Sequence, residues 1–243
     1  MLSDPLSGPR APVQAPVEPQ WTVESVLSTM PHRPAHDTAS PVPFFHLIER
    51  LKTTKRTGWT NVGIEHGESI SDHMYRMAIL AMVAPTTIAS RINMSRCVQM
   101  ALIHDMAESL VGDITPVEGV SKAEKSRRES EAMDYISERL LGRVPGLSGQ
   151  EIREIWQEYE DDETLDAHFV HDLDKIEHVL QIVEYERKYE GHKDLGEFTW
   201  ICSRIKLPEV KEWCDAVLEE RRQFWKSVGK EPEWRDEKKF KDV

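Results

Sequence analysis

Cysteine is scarce in this 243-residue chain: the three present, Cys97, Cys202 and Cys214, are odd in number and never spaced CxxC. That argues against a disulfide framework and a thiolate zinc site, and it fits a reducing compartment. Basic charge is short as well, with 31 Lys and Arg against 43 Asp and Glu and a formal net charge of −12. No basic run stands out, so duplex nucleic acid and anionic membrane are unsuitable partners, while a small anion remains possible where a local site supplies cations. No stretch approaches the roughly 20 apolar residues of a membrane span. Alternating apolar and polar residues, the mark of a half-buried strand, are missing, and so is any internal repeat. The expected location is intracellular and cytoplasmic, with the nucleus open.

Proline is unevenly spread: nine of the 14 lie in residues 1–43, among Ser, Ala, Gln and Val without periodicity. Residues 1–42 therefore read as a disordered leader. It has no apolar signal core, and Asp4, Glu18, Glu24 and Asp37 against Arg10 and Arg33 do not suit a transit peptide. Residues 227–243 read as a charged tail. Between them, 43–226 is helical throughout and an all-α bundle is expected. Helices are predicted over Pro43–Lys52, from Ser71 to Ile92 with an interruption at Pro85, and from Ser95 to Leu110. Ser121 with Glu124, and Ser148 with Glu151, read as capping boxes that open two more. Thr164 starts a long helix to Tyr189, followed by helices at 195–206 and 209–226.

Ionisable residues interrupt the apolar faces of these helices. His104, Asp105 and Glu108 fall on the stripe through Val98 and Ala101, and His73 falls among Ile70, Met74, Met77, Ala78 and Ala81. Asp174 flanks the stripe of Phe169, Val170, Leu173, Ile176, Leu180 and Val183. Buried charges must be paired or bound to metal. Two imidazoles and two carboxylates without sulfur suit Mn, Co, Fe, Zn or Mg with positions left open, better than a structural zinc. The His-Asp pairs at 36–37 and 171–172 read as exposed or incidental, and Met74, Met77 and Met82 as core.

SDHMYRMA (71–78), ALIHDMAESLVGDITP (101–116) and FVHDLDKIEHVLQIVEYE (169–186) resemble the three signatures of the HD-domain hydrolases. The likeness is greatest to their 5'-deoxynucleotidase branch with its eukaryotic members, and it covers about residues 43–226. It implies a metal set of His73, His104, Asp105 and Asp174, with Asp172 the competing choice for the last place. It further implies Glu108 as the catalytic carboxylate alongside Asp105. A possible second divalent ion falls to Glu108, Asp113 and the Ile114 carbonyl. In RTGW, Arg56 would hold the phosphate and Trp59 the deoxyribose. A homodimer is implied, although no heptad seam marks an interface.

Each residue also has a plainer role to weigh. The His/Asp cluster would serve as a buried ion-paired knot, Glu108 as a carboxylate orienting a ligating His, and Asp113 as a turn cap. Arg56 would complement a helix end and Trp59 would plug the core. His66, His168, His171, His178 and His192 read as surface or packing residues. The expected reaction is hydrolysis of deoxyribonucleoside 5'-monophosphates with a divalent metal such as Co, Mn or Mg. Alternatives are hydrolysis of triphosphates or cyclic phosphodiesters, and a nucleotide-binding scaffold without turnover. The acidic excess gathers in residues 148–200, which contribute −11, whereas 44–147, with most of the proposed site, is formally neutral.

Overall fold

A computed structural model describes residues 20–146 and 149–234. Its helices are α1 (Val23–Leu27), α2 (Val42–Ile48), α3 (Arg50–Thr53), α4 (Thr57–Asn61), α5 (Ile70–Met82), α6 (Thr86–Ala89) and α7 (Met94–Ile103). They continue with α8 (Glu108–Val111), α9 (Lys122–Asp134), α10 (Gly149–Asp161), α11 (Leu165–Lys188) and α12 (Pro208–Ser227). A π-helical turn, Tyr135–Leu140, extends α9, and a 3-10 segment, Gly196–Arg204, links α11 to α12. Among the described residues there is no strand, and one isolated bridge joins Lys55 to Ser69. The all-α expectation holds.

Local side chains set the helix starts. Ser121 and Thr164 accept hydrogen bonds from the amides of Glu124 and Ala167, as their sequence settings suggest. The start of α5 lies two residues earlier than expected, because Asp72 completes a capping box with Ser69 and leaves Ser71 inside the helix. Pro85 does interrupt this region, and α6 is a separate turn. The first expected helix is split at Glu49 into α2 and α3. Ser148, expected to cap α10, lies outside the described residues.

The leader expectation needs correction over residues 20–42, since α1 buries Val23 and Leu27 against the main core and is tied down by Val23 N donating to Glu131 Oε1 at 3.1 Å. Burial of two aliphatic side chains, worth about 1.5–3 kcal/mol each, outweighs the proline-rich composition. Residues 1–19 lie outside the described residues. The charged tail is likewise anchored as far as Trp234. Arg221, fully buried, donates to Glu186, Asp194 and the Glu233 carbonyl, with the Trp234 ring 4.6 Å from its guanidinium carbon. Residues 235–243 lie outside the description.

α11 runs through the middle of the bundle and packs on α5, α7, α10 and α12. Small residues on α5 and α7, Ala78, Ala81, Cys97 and Ala101, are almost wholly buried and let these two helices pack closely. The expected stripe of α11 is buried at Phe169, Val170, Leu173, Ile176 and Val183. Met82 departs from expectation: it is exposed at the end of α5 instead of joining Met74 and Met77 in the core.

Candidate active site

The chemistry gathers where α4, α5, the α7–α8 junction and α11 meet. α7 does not continue to Leu110 as its pattern suggests. It ends at Ile103, His104 is its C-cap, and Met106 and Glu108 donate to the carbonyls three residues back, Ile103 and Asp105. His104, Asp105 and Glu108 all line one cavity; on a straight helix His104 and Glu108 would share a face and only the intervening Asp105 would diverge, by about 100°. Gly112 then reverses the chain at φ 80, leading into the segment from Asp113 to Pro116 on the cavity wall. On the opposite side, Arg56 N donates to Glu68 O at 3.1 Å and Ile70 N to Thr54 O at 3.1 Å, which fixes Arg56 beside the start of α5.

His73 is fully buried, with Nδ1 2.6 Å from Glu177 Oε2. His104 Nδ1 lies 3.1 Å from the Ala101 carbonyl, which can only accept. Both contacts favour the proton on Nδ1 and leave a lone pair on each Nε2. His73 Nε2 is 3.2 Å from Asp174 Oδ1 and 3.9 Å from Asp105 Oδ2, and His104 Nε2 is 3.3 Å from Asp105 Oδ2. Among the described residues neither Nε2 has a hydrogen-bond partner, nor does the buried Oε2 of Glu108. Ligand atoms of His73, His104 and Asp105 all lie within 4.8 Å of one another. Acceptors turned toward one another in a buried place repel unless a cation lies among them, so this donor set fits a divalent metal ion.

Burial and Arg56 pull the His73 imidazole down, but Glu177 and Asp174 outweigh them and push it up to about 10, a measure of how strongly the pocket demands positive charge. Asp105 and Asp174 are held well below the ordinary carboxylate range despite their burial, Asp105 first by His104 and Asp174 first by His73, with Arg56 adding to both. Burial, with Asp105 and Asp113 nearby, raises Glu108 well above its ordinary value.

The cavity measures about 340 Å³ and its lining carries six carboxylates, Asp105, Glu108, Asp113, Glu129, Glu160 and Asp174, against the cations Arg56 and Lys125. Arg56 Nη1 lies 3.4 Å from Asp105 Oδ2 and Nε 4.0 Å from Glu68 Oε1. Asp113 accepts from the Thr57 amide through Oδ2 and from the Thr57 hydroxyl through its backbone carbonyl, so it pins the first turn of α4 and with it Arg56. Trp59 is 1% exposed, donates Nε1–H to Glu68 at 2.8 Å and stacks on His178 with centroids 4.5 Å apart. Its ring is packed as a core plug would be, and both it and His178 stand on the cavity lining. Burial and Arg56 push the His178 imidazole down to about 4.

The two candidates for the fourth place differ in burial and partners. Asp172 is fully buried, accepting from Lys175 and from the amides of Lys206 and Leu207 ahead of α12. It is neither exposed nor incidental, and it does not line the cavity; Asp174 does. Sequence reasoning missed Glu177, fully buried behind His73 and bound by Arg76, although its spacing from Val170 and Leu173 places it on the same stripe. It also missed Lys125, Glu129, Tyr159 and Glu160 on the lining and gave His178 only a packing role.

A family model described as HD domain matches residues 48–213. The 5'-deoxynucleotidase hdd1 of Schizosaccharomyces pombe is 53% identical over 194 residues, 80% of this chain and 96% of the relative. The human 5'-deoxynucleotidase HDDC2 is 46% identical over 198 residues, 81% of this chain and 94% of the relative. Among solved structures, the HD domain-containing protein YGK1 superposes with a TM-score of 0.60 at 34% identity, covering 84% of this chain and 94% of that one.

Proposed function

The chain belongs to the HD-domain family, and from that premise we propose that it is a metal-dependent 5'-deoxynucleotidase. It hydrolyses deoxyribonucleoside 5'-monophosphates to deoxynucleosides and inorganic phosphate. The observation that carries this reading is the convergence of acceptors, His73 Nε2, His104 Nε2, Asp105 and Asp174, beside the guanidinium of Arg56.

Those four residues hold the divalent ion, which when bound supplies Lewis acidity and brings the pKa of water toward neutrality. Glu177 and the Ala101 carbonyl orient the two imidazoles. Arg56 takes the phosphoryl oxygens, releasing part of its contact with Asp105, and holds the phosphorus in line. Glu108, with a free buried oxygen, carries a proton between water and the leaving 5'-oxygen. Asp113 keeps α4 and Arg56 in place through Thr57. A second ion would use Glu108 and the Ile114 carbonyl with the remaining oxygen of Asp113. Trp59, stacked on His178 and on the lining with it, stands against the deoxyribose. The mixed nitrogen and oxygen donors suit Co, Mn or Mg.

Triphosphates fit less well, because Arg56 and Lys125 are the only Lys or Arg on the described lining. No helix among the described residues is long and apolar enough to cross a membrane, and a cytoplasmic location is part of the proposal. So is a homodimer, supported by Tyr75, Ile79 and Met82, an apolar row at i, i+4 and i+7 of α5 that is 65%, 42% and 63% exposed. Light scattering checks it: a monomer mass at micromolar protein removes the dimer. For the activity, protein stripped by a chelator and reloaded with Mn or Co is assayed for phosphate release from dAMP. Recovery on metal addition is the expected result, and equal activity with and without metal overturns the reading.

A further inference from the structure

Some side chains on the cavity lining take no part in the reaction proposed above, Lys125 and Glu129 among them. α9 is densely charged, and most of that charge is spent on its own surface: Arg127 and Arg128 bind Glu124, Arg127 also binds Glu131, and both lie over the Trp21 ring. Lys125 and Glu129 are different. They continue toward the N-terminus the inward stripe that holds Ala132, Met133 and Ile136 in the core, and both line the active-site cavity.

A role in helix stability does not account for them. Their single contact is 3.5 Å long, and Lys stands N-terminal to Glu, the weaker order for such a pair on a helix. Glu129 is 13% exposed and Lys125 35%, so a carboxylate is withheld from water for an ion pair worth about 0.3–0.5 kcal/mol at best. Burial accordingly pushes Glu129 up to about 7, against the pull of Lys125.

Their position relative to the chemistry points to a ligand. Lys125 feels the charges of Glu108, Asp105 and Asp113, while Glu129 lies one helical turn farther along, near Glu160. With Glu108 at the leaving 5'-oxygen, as in the reaction proposed above, the sugar attached to that oxygen lies on the Glu108 side of the cavity, which Lys125 and Glu129 also line. With its 5'-oxygen esterified, a deoxyribose has one free hydroxyl, at C3', and that group both donates and accepts. An ammonium beside a carboxylate offers one of each.

We propose that Lys125 and Glu129 are the sugar-recognition pair of this enzyme, Lys125 donating to the 3'-hydroxyl of the deoxyribose and Glu129 accepting from it. The assignment rests on the deoxynucleotidase reading and deepens it. It gives specificity for a nucleoside carrying a 3'-hydroxyl, a choice that neither Arg56 nor the metal cluster can make.

The test compares kcat/KM for dAMP and for 2',3'-dideoxyadenosine 5'-monophosphate with the metal-loaded full-length protein. Wild type is expected to prefer dAMP by about 10–100-fold, the range for a hydrogen bond to a charged group. Glu129→Ala and, separately, Lys125→Met are expected to lose most of that preference by slowing dAMP alone, and Glu129→Gln, which still accepts, to keep it within a few fold. A wild-type ratio near one overturns the assignment whatever the variants do, and so does a variant that slows both substrates equally. Absence of phosphate release from both substrates by wild type would count against the deoxynucleotidase reading itself, so the two failures are distinguishable.

Discussion

Replacing Glu177 by Gln separates positioning of the metal site from its chemistry. The carboxylate is fully buried, 2.6 Å from His73 Nδ1 and 2.8 Å from Arg76 Nε. An amide keeps the volume but removes the charge that fixes the imidazole and raises its basicity. Loss of such a partner typically costs 10–100-fold in metal affinity, about 1.4–2.7 kcal/mol. Stability suffers less than removal of a buried ion-pair member usually implies. Arg76 retains Glu184 at 2.6 Å and Gln181 at 2.6 Å, so no buried charge is stranded. The cost is then about 1–3 kcal/mol, a fall in Tm of roughly 2–12 °C for a domain of this size. Competition with a chromogenic chelator gives the metal Kd, and kcat is read at saturating metal. A Kd weakened by about 10–100-fold with kcat nearly restored by excess metal is the expected pair of results. Unchanged metal affinity alongside a lost kcat would refute the positioning role.

The remaining expectations concern residues on or beside the lining. Glu108→Gln should lower kcat by about 10²–10⁴-fold with metal content retained, and near wild-type turnover would remove it from proton transfer. Asp105→Ala should lose both metal and turnover, as checked by elemental analysis beside the phosphate assay. Arg56→Met, which strips a guanidinium 3.4 Å from Asp105, should raise KM for dAMP and Ki for inorganic phosphate together by about 10–100-fold; a change in kcat alone would point elsewhere. Trp59→Ala should cost about 3–5 kcal/mol, a Tm fall of roughly 6–20 °C, because the ring is 1% exposed. Any direct part in choosing deoxy over ribo sugars should appear as a change in the dAMP/AMP ratio, and an unchanged ratio leaves Trp59 a purely structural wall.

Much of the fold can be read from side chains that act locally. Ser121 and Thr164 stand where a hydroxyl can take the amide three residues on, and that need not consult the rest of the molecule. The break after Ile103 is another matter. His-Asp-Met-Ala-Glu contains neither Gly nor Pro, and the tight turns there are a product of tertiary packing. Val23 and Leu27 were hidden for the same reason, since proline-rich composition says nothing of a groove waiting for two aliphatic side chains. His73, His104, Asp105 and Asp174 stood out as polar residues on or beside apolar stripes. Glu177 gave the same signal more faintly. Lys125 and Glu129 gave little: they extend the stripe of Ala132, Met133 and Ile136, but in the run KAEKSRRESEAMD every turn is charged and nothing in the pattern marks these two as facing inward.

Hydrolysis of deoxynucleoside 5'-monophosphates is tested most directly by phosphate release from a matched panel of dAMP, AMP, dATP and cyclic AMP, using protein reloaded with a single divalent metal. The structure leads to metal-dependent release from dAMP that exceeds release from the other three. Preferential hydrolysis of dATP or cyclic AMP, or no metal-dependent release from any of the four, would contradict it.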